Sequence, residues 1–182
     1  MVVWQPDWWF VGGRVFPGET PARSCCRLLQ RELGLEIDPA RLQPVCCQSL
    51  AWGMREQPPK DHGTTDSQYV LSLRLSEAEV EKVVLDPNEY ETSQWLEHAT
   101  ILAGDFHPAL KFAVHSLMAR EKMTELTAAV HAHPDNDVEV ARLARELVAL
   151  AANNGPVPAG TSEYRVVAPK LQYECAVTTE FA

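Results

Sequence analysis

Residues Gly12 to Leu35 read GGRVFPGETPARSCCRLLQRELGL, and this stretch decides the fold. The apolar run Trp8-Trp9-Phe10-Val11 precedes it and has the composition of a buried strand. Gly12 and Gly13 end that run, and Pro17-Gly18 marks a second turn. Thr20 is a good N-cap, and Pro21 occupies the first helical position, where a missing N–H costs nothing. Gly34 offers a left-handed C-cap, so the spacing predicts a helix over 20–33. Glu19 and Glu32 flank this helix among Arg14, Arg23, Arg27 and Arg31. A loop–helix–loop of that kind can hold a hydrated cation and a polyphosphate.

Composition narrows the function classes. The chain has 182 residues, of which 46% are hydrophobic and 23% charged, enough for a packed domain with an appendage. No run approaches the roughly 20 apolar residues of a membrane span, and Met1-Val2-Val3-Trp4 does not open a signal sequence. A cytoplasmic protein is expected, without a membrane partner. The formal net charge of −9 argues against nucleic acid as a partner, because such binding rests on neutralising phosphates. Five cysteines (Cys25, Cys26, Cys46, Cys47 and Cys175) form no C-x-x-C pair and read as reduced, buried thiols. The histidines are scattered, and His131-Ala132-His133 reads as a solvated helix end rather than a metal tract.

Along the chain, residues 1–11 are expected to give one strand, and Leu42–Trp52 a second. Arg55–Asp66 has loop composition, and Gln68–Leu75 alternates as a half-buried strand. Ser76–Val84 can open as a capped helical turn before Asp86-Pro87-Asn88 turns the chain. Ser93–Leu96 reads as a short strand, His98–Ala103 as a short helix, and Pro108–Lys122 as a longer one. Residues 123–133 can extend it, and Asp137–Ala152 is also helical in pattern. Asn153–Gly160 has linker composition. Tyr164–Val167 and Leu171–Val177 look like strand fragments without a visible partner sheet. Two regions are expected: residues 1–122 as the organised domain and 123–182 as an appendage.

The central stretch resembles the Nudix box, G-x5-E-x7-R-E-U-x-E-E-x-G-U, where U is bulky and aliphatic. Gly13, Glu19, Arg27, Leu29, Glu32, Gly34 and Leu35 fall in their places. Leu28 and Arg31 stand where the pattern has glutamates. With G-G-R-V before it, R-L-x-x-E-L-G-L is similar to the GDP-mannose mannosyl hydrolase branch, which also keeps only the last glutamate. The weaker similarity continues through Tyr69, the Asp86–Glu91 loop, Trp95-Leu96 and the helix near His107.

The resemblance implies an α/β fold, a Nudix-like α/β/α sandwich with a mixed sheet, plus a partly helical C-terminal appendage. It places two strands before the box, whereas eleven residues precede Gly12 here. A truncated gene model, a fragment, or repair of the sheet by C-terminal strands would each account for that. It implies one Mg²⁺ held by the Gly12 carbonyl, Glu32 and Glu89. Arg14 would neutralise a leaving phosphate and Tyr69 would donate a hydrogen bond to it. Glu19 and Arg27 would brace the loop, with Gly13 and Gly34 as scaffold. The position of the family's general base falls on Tyr90, a poor base near neutrality, and Glu89 or Glu91 are the substitutes.

The activity implied is Mg²⁺-dependent hydrolysis of a nucleoside diphosphate linked to another moiety. A nucleotide sugar such as GDP-mannose comes first, releasing sugar and nucleoside diphosphate. The alternative is a catalytically inactive domain that binds a nucleotide or a protein partner, with ordinary diphosphate hydrolysis ranked third. A homodimer is plausible by analogy, and a short sheet with exposed edges would invite one.

Overall fold

The computed structural model describes residues 8–52, 64–132 and 135–153, together with four short strands between 163 and 178. The expected loop over Arg55–Asp66 lies mostly outside these residues, as do His133 and residues 154–160 of the expected linker. The fold is α/β, as the sequence predicts. Helices α1 (Pro21–Leu33), α2 (Glu77–Val80), α3 (His98–Ala103), α4 (Pro108–Ala132) and α5 (Asp137–Asn153) accompany strands β1 (Gln43–Trp52) and β2 (Thr64–Ser72). Strands β3 (Glu163–Tyr164), β4 (Val167–Ala168), β5 (Leu171–Gln172) and β6 (Cys175–Thr178) follow. The chain divides into two compact units, residues 1–45 with 71–114 and residues 46–70 with 115–182.

In the first unit, α1 forms as its ends dictate. The Thr20 hydroxyl accepts from the Arg23 amide at 3.3 Å, and Pro21 opens the first turn. Gly34 closes the helix at φ +67°, with its amide on Gln30 and the Leu35 amide on Leu29. Leu29 and Leu33 face inward and pack with Leu35, Ile37 and Leu42 into the main buried cluster. Val11, Cys25, Leu73, Val83 and Leu85 press on its edges. The turn at Pro39–Arg41 is tied to α2, because Arg41 donates to both Glu79 oxygens, at 2.5 and 3.0 Å, and to the Arg74 carbonyl. Glu79 also completes a reciprocal capping box with Ser76. Arg41 and the Ser76 amide hold the Glu79 carboxyl down to about 2.

In the second unit, β6 pairs antiparallel with the end of β1, Ser49 opposite Thr178 and Trp52 opposite Cys175. β3 then pairs with β6, so the sheet order is β2-β1-β6-β3, while β4 and β5 form a separate antiparallel pair. The buried Gln48 amide donates to Gln68 at 3.0 Å, linking β1 to β2 through side chains. Lys122 of α4 reaches Glu146 of α5 at 3.0 Å, and Leu143 of α5 is buried.

Four expectations are corrected. The run at Trp8–Val11 makes a single bridge at Trp9, and Ser93–Leu96 makes one at Gln94, instead of strands. Apolar composition alone does not make a ladder, and Trp95 is 56% exposed. The C-terminal fragments do have a partner sheet, since β6 joins β1. β2 also begins earlier and ends earlier than the alternation suggested, at Thr64 and Ser72. The long helix runs through Ala132, which includes the expected extension.

No helix among the described residues is long and apolar enough to cross a membrane. Cys25, Cys26, Cys46 and Cys47 are free thiols. Burial raises the pKa of Cys25 to about 11 and also pushes up Cys26 and Cys46, which makes their reactive thiolates scarce.

Candidate functional site

The glycine loop and α1 are locked together by Glu19 and Arg27. The two Arg27 nitrogens that grip Glu19 do so at 2.7 and 2.9 Å, a two-point pairing of guanidinium and carboxylate. The Phe16 amide donates to the same carboxylate at 3.0 Å. Arg27 also donates to the Arg14 carbonyl at 2.9 Å and to the buried Ser24 hydroxyl at 3.0 Å. The Phe16 ring covers its guanidinium at 4.0 Å. Arg27, followed by the Phe16 amide, holds the Glu19 carboxyl down to about 2. Arg27 is thus committed to the loop, and Gly18 at φ +85° supplies the turn that brings Glu19 back onto the helix.

Leu28, the next residue on α1, is buried. A Cβ placed on Gly13 would lie 2.8 Å from a Leu28 methyl, so a side chain there would make the Leu28 methyls shift. The side chain standing where the box has its first inner glutamate is therefore an apolar contact of the loop.

Glu32, in the last turn of α1, is the second focus. Its side chain is 1% exposed. The Val84 amide donates to the Leu33 carbonyl and the Asp86 amide to the Glu32 carbonyl, each at 3.0 Å. These two bonds dock the 84–90 segment on the end of α1, using carbonyls a helix terminus leaves unpaired. The Asp86 carboxylate takes the Asn88 amide at 2.9 Å, and Tyr90 closes the turn back on the Asp86 carbonyl at 3.0 Å. Glu89 and Tyr90 are thereby carried to Glu32.

Both Glu32 oxygens are engaged. Oε2 accepts from the Tyr90 hydroxyl and Oε1 from Arg31. The same Arg31 nitrogen lies 3.4 Å from Glu89 Oε1. Burial, reinforced by the Glu32 carboxylate, pushes the Tyr90 phenol well above its ordinary range, so it stands as a neutral donor. Two carboxylates thus converge on one positive group, and their oxygens are hard donors.

The NUDIX domain family model matches residues 2–116. The chain belongs to the Nudix family. Comparison with curated proteins gave no match. Membership supports a hydrolase acting on nucleoside diphosphate derivatives, in a family that generally uses a divalent metal.

Within this Nudix domain, the structure brings together Glu19 with Arg27, and Glu32 with Glu89 and Tyr90. Gly12 and Arg14 lie in the exposed loop before α1, the Arg14 carbonyl held by Arg27 and Ser24. Tyr69 is 58% exposed and belongs to the second unit. Among the described residues, no three His, Cys, Asp or Glu side chains cluster as a metal-holding group. The donors at Glu32 and Glu89 still suit Mg²⁺, which is commonly bound through one or two carboxylates plus substrate phosphates and water. Sequence reasoning did not pick out Arg31 as a partner of Glu32, nor Ser24 and Phe16 as supports of Arg27. Ser24 and Arg27 are three apart on α1 and share a face, which is the available signal for that contact.

Proposed function

We propose that this Nudix protein hydrolyses a nucleoside diphosphate linked to another moiety, with a nucleotide sugar such as GDP-mannose first. The products would be the free sugar and the nucleoside diphosphate. The observation that carries this reading is the buried Glu32 beside Glu89, with Leu28 and Arg31 at the inner glutamate positions. Attack at phosphorus in this family calls on several carboxylates, whereas departure of a diphosphate from a sugar carbon asks for fewer. Glu32, Glu89 and the Gly12 carbonyl would hold one Mg²⁺, which when bound supplies Lewis-acid stabilisation to a departing diphosphate. Arg14 and Tyr69 would bind the phosphates. Glu89 or Glu91 would take the proton of the attacking water, because a phenol with a raised pKa is a poor base. Tyr90 would position Glu32 instead. The reading assigns the activity to residues 1–122 and gives no role in it to residues 123–182, whose last strand joins β1.

A second reading is favoured by the same cluster. With Arg31 and Tyr90 on its two oxygens, Glu32 is satisfied without a metal, as in a domain that binds a nucleotide without turning it over. Incubation with Mg²⁺ and GDP-mannose, GDP-glucose or ADP-ribose, followed by product analysis, separates these. Sugar plus nucleoside diphosphate supports the hydrolase, and its loss in Glu32→Gln supports the metal assignment. Nucleoside monophosphate plus sugar phosphate would indicate diphosphate hydrolysis. Binding without turnover, unchanged by Glu32→Gln, would indicate the silent domain.

A further inference from the structure

Arg31 stands at a box position where a carboxylate is expected, and its guanidinium occupies the space between Glu32 and Glu89. We infer that Arg31 and a divalent cation compete for Glu32, and that a nucleotide diphosphate couples its own binding to the cation's by drawing the guanidinium away. This rests on the proposed nucleotide-binding function. Glu32 is 1% exposed at its side chain, so its charge cannot be left to water. A buried carboxylate that loses one cationic partner must gain another or take up a proton. Arg31 is 47% exposed, as is Glu89, so the arginine is free to rotate outward while Glu32 stays fixed in the helix. Two like charges cannot share one site, so the guanidinium must leave Glu32 before a metal ion enters. A diphosphate presents paired anionic oxygens that the planar guanidinium fork can grip at two points, which gives Arg31 a new partner when the ligand arrives. By linkage, whatever removes Arg31 from Glu32 raises affinity for the cation, and the cation raises affinity for the diphosphate by the same factor.

The test uses Mn²⁺ as the probe cation, read by electron paramagnetic resonance of the free ion, with GDP as the probe nucleotide. The wild-type protein should bind Mn²⁺ weakly alone and about tenfold or more tightly with GDP, within the usual range of such coupling. Arg31→Met should bind Mn²⁺ about tenfold or more tightly without GDP, and the further gain on adding GDP should be smaller than in the wild type. Equal or weaker Mn²⁺ binding by a folded Arg31→Met, checked by circular dichroism, would overturn the inference. Should that variant not fold, thermal shifts of the wild type decide: Mn²⁺ and GDP together should stabilise by more than the sum of each alone, and strict additivity would refute coupling. Failure of GDP to bind under any condition would sink the nucleotide reading, while the Mn²⁺ comparison of the two proteins would still decide the competition.

Discussion

Tyr90→Phe removes one hydroxyl and leaves the ring, which isolates the bond to Glu32. Glu32 Oε2 accepts from that hydroxyl, Oε1 stays with Arg31, and the side chain is 1% exposed. The oxygen would therefore lose its partner with little access to water. Hydrogen bonds to charged groups are worth ~1.5–3 kcal/mol, and an orphaned buried acceptor costs a similar amount. Tyr90 is itself only half-buried, so water can partly fill the gap, which places the expected loss near the lower end, ~1.5 kcal/mol. Urea denaturation of the wild type, Tyr90→Phe, Glu32→Gln and the double variant gives the coupling directly. It should be ~1 kcal/mol or more, because the amide offers one acceptor where two donors point. Turnover, if Tyr90 only positions Glu32, should fall modestly with the shape of the pH profile retained. Stability of Tyr90→Phe within ~0.5 kcal/mol of wild type, together with zero coupling, would refute the assignment. Complete loss of turnover with an altered pH profile would instead make the phenol a participant.

Acid should find the two depressed carboxylates. Glu19 and Glu79, each held down to about 2 from 4.5, contribute stability that is complete above 4.5 and lost as pH falls towards 2. Glu19→Gln should flatten that slope in denaturation measured across the window. Gly34→Ala forces a side chain into φ +67° and should cost ~1–2 kcal/mol in the same assay. Leu28→Glu, which restores the pattern's acid at a buried position, should lower the thermal midpoint by several degrees or more, since a buried charge replaces an apolar contact. Product analysis should show no diphosphate cleavage gained by it.

The first helix was legible because its signals are local. Thr20, Pro21 and Gly34 act within one or two turns, and the same holds for Ser76 with Glu79. The Glu19–Arg27 brace was implied by the resemblance to the Nudix box and not by a local signal of its own. The Glu32 cluster could be only half read. Arg31 and Glu32 are adjacent in sequence, but Tyr90 reaches them through amides of Val84 and Asp86 bonded to the end of α1, and backbone docking leaves no residue pattern. Aromatic density at Trp8–Phe10 suggested a strand, yet pairing needs a partner of matching length, which composition does not encode. The partner of β6 was hidden for the same reason.

The pairing of Ser49 with Thr178 also sets a timetable. During synthesis β1 emerges early, while the strand that covers its edge does not exist until residue 178 has been made. Closing so long a loop carries an entropic cost that must be met before the pairing returns any stabilisation, which makes it a late and slow event. Until then the last four residues of β1 present unpaired backbone groups to the surroundings, the arrangement that templates strand addition between chains. Expression at low temperature or with a chaperone that shields strand edges should therefore raise the yield of monodisperse protein.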